Sequence, residues 1–195
     1  KDPEEVIFQI EKENIKFYGY GIKGFVLSLL EASVRFSNNQ PDLQNIAKII
    51  KIGKGMLAQP IQLLPEVKDT LRHLSEHYTL IMITKGDLLD QQKKVRGSGL
   101  EKYFRSIEIV SEKNEQTYLE ILNKNNILPE YFLMVGNSLK SDILPVTKIG
   151  GTGIYIPHKF TWRYEELDGT RDLDRFVELK TISDLKVWLE NKIIN

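Results

Sequence analysis

The stretch that most constrains the fold of this chain is an apolar run that ends at a glycine and is followed by oxygen-bearing side chains. Phe132 to Val135 are apolar without alternation, Gly136 follows, and Asn137 and Asp142 come next. A short apolar run without polar alternation is typical of a strand buried on both faces of a parallel sheet. The glycine allows the backbone to turn sharply. Side chains after such strands stand in the crevice where open α/β sheets bind ligands, so the stretch predicts a site at the carboxyl edge of a sheet.

Two upstream segments add groups of complementary chemistry. A second apolar run, Tyr78 to Thr84, ends on a hydroxyl and is followed by Lys85 and Gly86, where backbone N–H groups would cradle a phosphate. Further along, Lys113 opens a candidate helix. The two oxygen-bearing side chains after Gly136 suit magnesium. Together these residues supply a neutral donor, a cation and a metal site, and this combination predicts phosphate binding.

The chain after Pro60 alternates between candidate strands and candidate helices. The helices are predicted at Glu66–His77, Leu88–Arg96, Glu112–Asn125, Leu139–Ile149 and Ser183–Lys192, and the strands at Tyr78–Thr84, Ser106–Val110, Tyr131–Gly136 and Gly153–Pro157. This alternation implies right-handed βαβ units and an α/β fold with a parallel sheet covered on both faces. Thr161 to Glu178 is polar and irregular and is predicted to be a long surface loop.

Residues 1–60 follow a different, helical pattern. Apolar residues recur at helical spacing in three runs, separated first by Gly19, Gly21 and Gly24 and then by the break Asn38–Asp42. We therefore expect two domains, a small all-helical one at residues 1–60 and an α/β core at residues 61–195.

In these motifs the chain resembles the haloacid dehalogenase superfamily, which consists mostly of magnesium-dependent phosphatases. Thr84 matches the second motif of that family, Lys113 the third, and the stretch Gly136 to Asp142 the fourth. The segment Gly97 to Phe104 is also similar to the one that the family places between its second and third motifs. The resemblance implies a Rossmann-like core and makes the helical unit at residues 1–60 a cap domain.

The resemblance also implies a reaction, the hydrolysis of a small phosphate monoester through an aspartyl-phosphate. Thr84 would donate a hydrogen bond to the transferred phosphoryl group, with Lys85 and Gly86 beside it. Lys113 would offset the charge between the nucleophile and the phosphate. The remaining two residues, Asn137 and Asp142, would bind Mg²⁺.

The chain departs from the family pattern in two places. Asn137 stands where the family usually has aspartate, and its neutral oxygen predicts weaker magnesium binding. The first motif, Asp-x-Asp-x-Thr, which carries the nucleophile, does not occur in residues 1–195. The family places this motif on a central strand, between those that end at Thr84 and Gly136. We therefore expect this sequence to be a fragment whose nucleophile lies upstream.

Three alternatives remain open. A 2-haloacid dehalogenase would work without metal, but that subgroup has asparagine and aspartate three positions apart in the fourth motif, whereas Asn137 and Asp142 are five apart. A non-catalytic binding protein of the same fold would lack the nucleophile. Finally, His73-Leu-Ser-Glu-His77 fits an inverted zinc-protease pattern, although no third ligand is evident.

Composition narrows the classes of partner. Lys plus Arg and Asp plus Glu number 27 each, so the chain has no net positive charge with which to bind nucleic acid non-specifically. It has no cysteine, which fits a reducing compartment such as the cytoplasm. No apolar run approaches the roughly 20 residues of a membrane span. The small phosphorylated metabolite that the resemblance implies is the expected partner, and the sequence does not indicate an oligomeric state.

Overall fold

The computed structural model describes residues 2–165 and 176–193. In chain order the helices are α1 (Pro3–Tyr18), α2 (Ile22–Phe36), α3 (Leu43–Ala58), α4 (Val67–Ser75), α5 (Leu88–Ser98), α6 (Glu115–Lys124), α7 (Leu144–Lys148) and α8 (Asp184–Ile193). The strands are β1 (Ile81–Lys85), β2 (Ser106–Val110), β3 (Leu133–Gly136), β4 (Thr152–Tyr155) and β5 (Phe176–Glu178). No helix in this part of the chain is both long and apolar enough to cross a membrane.

The chain forms two compact units. Unit 1 comprises Lys1–Gln62 and Thr84–Gly99, and unit 2 comprises Leu63–Ile83 and Leu100–Asn195.

Two helices of unit 1, α1 and α3, begin where a side chain satisfies a free backbone N–H group. Asp2 accepts a hydrogen bond of 3.1 Å from the backbone of Glu4, and Asp42 accepts one of 2.9 Å from the backbone of Gln44. These N-caps define the starts of α1 and α3, because the first turn of a helix has no internal partners for its N–H groups. The apolar faces of the first two helices then pack together, with Ile10 buried in α1 and Ala32 buried in α2.

The strands of unit 2 form two sheets. In one, β1 is hydrogen-bonded to β2; in the other, the order is β3-β4-β5, with both pairs parallel. Helices cover the sheets on two sides. One hydrophobic cluster contains Ile83, Tyr118, Ile121, Met134 and Val146, and another contains Leu74, Ile154 and Leu185. The predicted α/β class, parallel strands flanked by helices, is confirmed.

Among the described residues, no backbone hydrogen bond joins β1 to β3. The two strands nevertheless contribute to one core, because Ile83 and Met134 belong to the same hydrophobic cluster.

Two predicted elements differ from the structure. The helix expected at Leu139–Ile149 is a wide π-turn over Leu139–Ile143 followed by the short helix α7. Pro145, which has no N–H group, stands in the first turn of α7, where a missing donor costs least. The loop expected at Thr161–Glu178 contains a 3₁₀ turn at Arg163–Glu165 and the strand β5, while residues 166–175 of that loop lie outside the described residues. Three residues are too few to show periodicity, and β5 forms by pairing with β4.

Candidate active site

The loop after β3 brings the carboxylate of Asp142 back against the end of the strand. Asp142 is buried, and a Cβ atom placed on Gly136 would overlap its carboxylate. The backbone conformation at Gly136 does not itself require glycine, since its φ is not positive. The glycine is needed instead because Asp142 occupies the space of a side chain at that position.

Lys113 and Asp142 form a buried ion pair. Lys113 Nζ lies 2.7 Å from Asp142 Oδ1, and the two side chains are 12% and 6% exposed. Lys113 directly precedes the N-cap of α6, Asn114, which accepts a hydrogen bond of 2.9 Å from the backbone of Thr117. The cap fixes the start of α6 and with it the position of the lysine. A buried pair of this kind is weak evidence for stability, because both charges lose their hydration.

Ser138 organises the loop after β3 that carries Asp142. Its backbone N–H donates to Asp142 Oδ2 at 3.0 Å, so both carboxylate oxygens of Asp142 accept hydrogen bonds. Its hydroxyl accepts from the backbone N–H of Ser141 at 2.9 Å and donates to Glu165 Oε2 at 2.6 Å. Neither Ser138 nor Glu165 was predicted as a site residue. The Ser138-x-x-Ser141 spacing is typical of a cap, whereas no signal in the sequence pointed to Glu165.

Tyr118 supports the same loop from α6. The side chain is fully buried, and its hydroxyl donates to the backbone carbonyl of Ser141 at 2.9 Å. Burial, and then the carboxylates of Asp142 and Glu165, raise the pKa of Tyr118 far above its ordinary value. The phenol therefore stays neutral and remains a hydrogen-bond donor.

Asn137 is the exposed member of the group. Its Nδ2 donates to Thr161 Oγ1 at 3.4 Å, so its carbonyl oxygen is the atom left to face a cation. The described residues contain no group of three or more His, Cys, Asp or Glu side chains that could hold a metal ion. The oxygens of Asn137 and Asp142 are nonetheless hard donors, and Mg²⁺ usually takes one or two protein ligands and keeps several waters. These two residues therefore fit magnesium.

A cavity of about 670 Å³ opens beside Asn137. Its walls come from the ends of β3 and β4, from Leu64–Val67 before α4 and from Lys180–Ile182 after β5. It lies at the carboxyl ends of the parallel strands, the edge at which α/β sheets bind ligands.

The remaining predicted site residues lie in unit 1. Thr84 Oγ1 donates to Gln91 Oε1 at 2.9 Å, and Lys85 Nζ lies 3.9 Å from the ring centroid of Tyr20. Gly86 has a φ of 147°, a conformation that residues with a side chain rarely adopt. The structure thus pairs Lys113 with Asp142 in unit 2, where Asn137 also lies, and places Thr84, Lys85 and Gly86 in unit 1.

Asp87 directly follows Gly86 and precedes α5. It caps α5 by accepting from the backbone of Asp90 at 3.0 Å, and it binds Lys23 Nζ at 2.9 Å. The hydrogen bond from Lys23 is the largest of the contacts that lower the pKa of Asp87.

His73 and His77 lie together, as their spacing predicts, with ring centroids 5.1 Å apart. A metal ion at this pair would have two histidine ligands. The described ranges 2–165 and 176–193 contain no group of three or more His, Cys, Asp or Glu side chains that could hold a metal ion.

Comparison with known proteins identifies relatives. The family model for haloacid dehalogenase-like hydrolases matches residues 1–150. A haloacid dehalogenase-like hydrolase from Xanthomonas campestris is 34% identical over 98% of this chain and 77% of its own, with a TM-score of 0.86. No protein with a curated description matches significantly.

More distant structures share the fold. A 2-haloacid dehalogenase from Pseudomonas syringae is 21% identical over 96% of this chain and 80% of its own, with a TM-score of 0.63. A phosphatase from Thermococcus onnurineus is 16% identical over 96% and 87%, with a TM-score of 0.57. One fold thus serves two chemistries, and the choice between them rests on the site.

Proposed function

The chain belongs to the haloacid dehalogenase-like hydrolases, and we propose that its reaction is the magnesium-dependent hydrolysis of a small phosphate monoester. The observation that carries this proposal is the buried ion pair between Lys113 and Asp142, whose atoms lie 2.7 Å apart. Asp142 belongs to the loop that also presents the oxygen of Asn137. A phosphoryl group brings several negative charges to a site. A fixed ammonium and a cation held by neutral and acidic oxygens match those charges.

In this proposal the residues have separate tasks. Asn137 and Asp142 hold magnesium, and the bound ion supplies Lewis-acid stabilisation of charge on the phosphoryl oxygens. Lys113 presents its ammonium to the phosphate while Asp142 keeps it in place. Within the described part of the chain each oxygen of Asp142 accepts one hydrogen bond, so each retains a lone pair for a ligand.

The end of β1 and the glycine that follows it would supply neutral donors. Thr84 directs its hydroxyl to Gln91 in the present structure and would exchange that partner for a phosphate oxygen. The backbone at Lys85 and Gly86 would add N–H donors. The attacking carboxylate is expected outside residues 1–195, since the Asp-x-Asp-x-Thr motif does not occur within them.

The spacing of the site favours a phosphatase over a dehalogenase. Displacement of a halide from a 2-haloacid requires no metal. It also involves no phosphoryl group whose charge would be neutralised by a buried ammonium and a cation held by oxygen ligands. The spacing of five positions from Asn137 to Asp142 allows the second side chain to return to the strand end at Gly136.

The two chemistries are separated by one pair of assays. The full protein is incubated with 4-nitrophenyl phosphate and with 2-chloropropionate, each with magnesium and with a chelator. We expect release of nitrophenolate in magnesium, loss of that release with the chelator, and no chloride from the haloacid. Chloride release that is insensitive to the chelator would establish the dehalogenase instead. Binding of phosphate without turnover of either compound would establish a non-catalytic binding protein.

A further inference from the structure

A short segment of unit 2 lies on the loop that carries the candidate metal ligands. We call Thr161–Glu165 the strap. It accepts hydrogen bonds from three residues of the loop. These run from Asn137 Nδ2 to Thr161 Oγ1 (3.4 Å), from Ser138 Oγ to Glu165 Oε2 (2.6 Å) and from Lys140 Nζ to the carbonyl of Tyr164 (3.1 Å). The ammonium of Lys140 also lies 3.5 Å from the ring centroid of Tyr164.

The contact between Ser138 and Glu165 determines how the serine hydroxyl is used. A hydroxyl has one proton, and at 2.6 Å it is donated to the Glu165 carboxylate. A short O–H···O⁻ bond of this kind is among the stronger hydrogen bonds in proteins. The lone pairs of the hydroxyl are then left for the backbone N–H of Ser141, which lies 2.9 Å away.

The same loop fixes the carboxylate of Asp142. The backbone N–H of Ser138 donates to Asp142 Oδ2, and Asp142 Oδ1 accepts from Lys113. A continuous series of hydrogen bonds therefore runs from Glu165 through Ser138 to Asp142 and Lys113. Glu165 is half-buried and Ser138 is buried, so water competes little for these bonds.

We propose that Glu165 is a positioning residue of the site. Through the Ser138 hydroxyl it holds the loop that presents Asn137 and Asp142. Its carboxylate also supplies the negative charge near the cation site that the neutral Asn137 does not. The second part rests on the proposed function, because it requires a cation at Asn137 and Asp142, whereas the first part stands on the hydrogen bonds alone.

The test uses three variants and one matched control. Glu165→Gln keeps the size and an acceptor oxygen but removes the charge, Glu165→Ala removes both, and Ser138→Ala removes the hydroxyl. Glu130→Gln is the control, since Glu130 is an exposed acid before the opposite end of β3. Mn²⁺ titration followed by electron paramagnetic resonance reports cation affinity, and amide exchange at Ser141 reports the loop in the absence of metal.

The expected results are specific to a positioning role. Loss of a group that holds a metal ligand typically costs 10–100-fold in affinity, so Glu165→Gln should bind Mn²⁺ at least about 10-fold more weakly. Exchange at the Ser141 amide should accelerate by about the same factor in Glu165→Ala. Because Glu165 positions the loop through Ser138, adding Glu165→Gln to Ser138→Ala should cause little further acceleration of exchange at Ser141, and the control should behave as wild type.

Unchanged Mn²⁺ affinity and unchanged Ser141 exchange in Glu165→Gln and Glu165→Ala would overturn the proposal. Additive acceleration of Ser141 exchange in the double variant would also overturn it, because Glu165 would then not position the loop through Ser138. If wild type binds no Mn²⁺, the metal part of the proposed function fails, while the exchange measurement still decides the positioning role. If Ser138→Ala does not fold, recovery of affinity and exchange by Glu165→Asp, compared with Glu165→Ala, decides instead.

Discussion

The carboxylate of Asp142 lies in the space that a side chain on Gly136 would occupy. The strand end and the acid six positions later are therefore complementary in shape as well as close in sequence. From this position Asp142 reaches Lys113 with one oxygen and the backbone of Ser138 with the other. The absence of a side chain at position 136 thus determines where the only charged member of the predicted metal pair can be.

Gly136→Ala should destabilise the protein and displace Asp142. Forcing additional atoms into a packed site typically costs about 1–3 kcal/mol. We expect a lower midpoint in urea unfolding and weaker binding of Mn²⁺. Gly55→Ala is the control, because nothing lies within 4 Å of a Cβ at that position in α3 and the change should be neutral or slightly stabilising. Equal effects of the two substitutions would contradict the steric explanation.

Lys113→Ala should reduce hydrolysis of 4-nitrophenyl phosphate by at least about 100-fold, the usual cost of removing one preorganised electrostatic group. It should also lower stability, since Asp142 would keep a buried charge without its partner. Steady-state kinetics and thermal unfolding measure the two effects. Lys124→Ala is the matched control, because that lysine pairs with Glu108 while remaining 66% exposed. Kinetics of Lys113→Ala that match those of the control would remove Lys113 from the site.

Asn137→Asp should tighten magnesium binding. The substitution adds a charged hard ligand in place of a neutral amide oxygen. The measurement is the magnesium concentration that gives half-maximal activity, compared between the two forms. If the aspartate form requires as much magnesium as wild type, or more, Asn137 is not a ligand of the ion.

Asp87→Asn should remove a pH-dependent part of the stability. Asn also caps helices, so the substitution keeps the cap of α5 and removes the charge that pairs with Lys23. The pKa of Asp87 is lowered in the folded state, so its contribution is complete above the unfolded value of about 3.9 and is lost as the pH falls through the lower folded value.

Urea unfolding of wild type and Asp87→Asn should therefore differ at pH 7 and converge as the pH falls below about 4. Asp42→Asn is the control, because Asp42 caps α3 through the backbone of Gln44. A difference between wild type and Asp87→Asn that persists undiminished at the lowest pH would show that the charge pair is not its source.

Among the described residues, the edge of β3 that faces away from β4 has no strand partner, and this should be visible in amide exchange. The carbonyls of Phe132 and Gly136 accept hydrogen bonds of 2.9 Å from β4, so by alternation Val135 directs its backbone groups to the opposite edge. In the 195-residue chain the Val135 amide should exchange at least about 10-fold faster than that of Met134, which faces β4. A peptide with an apolar run and Asp-x-Asp should slow exchange at Val135. Equal, strong protection of both amides without the peptide would show that the edge is already paired.

Local patterns in the sequence determined the elements and the residues of the loop after β3. The strand Ser106–Val110 was predicted with its observed bounds, since its ends are marked by polar residues. Asn137 and Asp142 were predicted as candidate metal ligands from their position after an apolar run. Such features depend on neighbours within a few positions, and hydrophobic periodicity and turn chemistry record them.

Only the tertiary structure decided which distant groups meet. Glu165 lies 27 positions after Ser138 and reaches it across the fold. The strand β5 forms because it pairs with the edge of β4. The requirement for glycine at position 136 comes from the carboxylate of Asp142 and not from its own backbone. Contacts of this kind arise from packing between elements, and no periodicity along the chain records them.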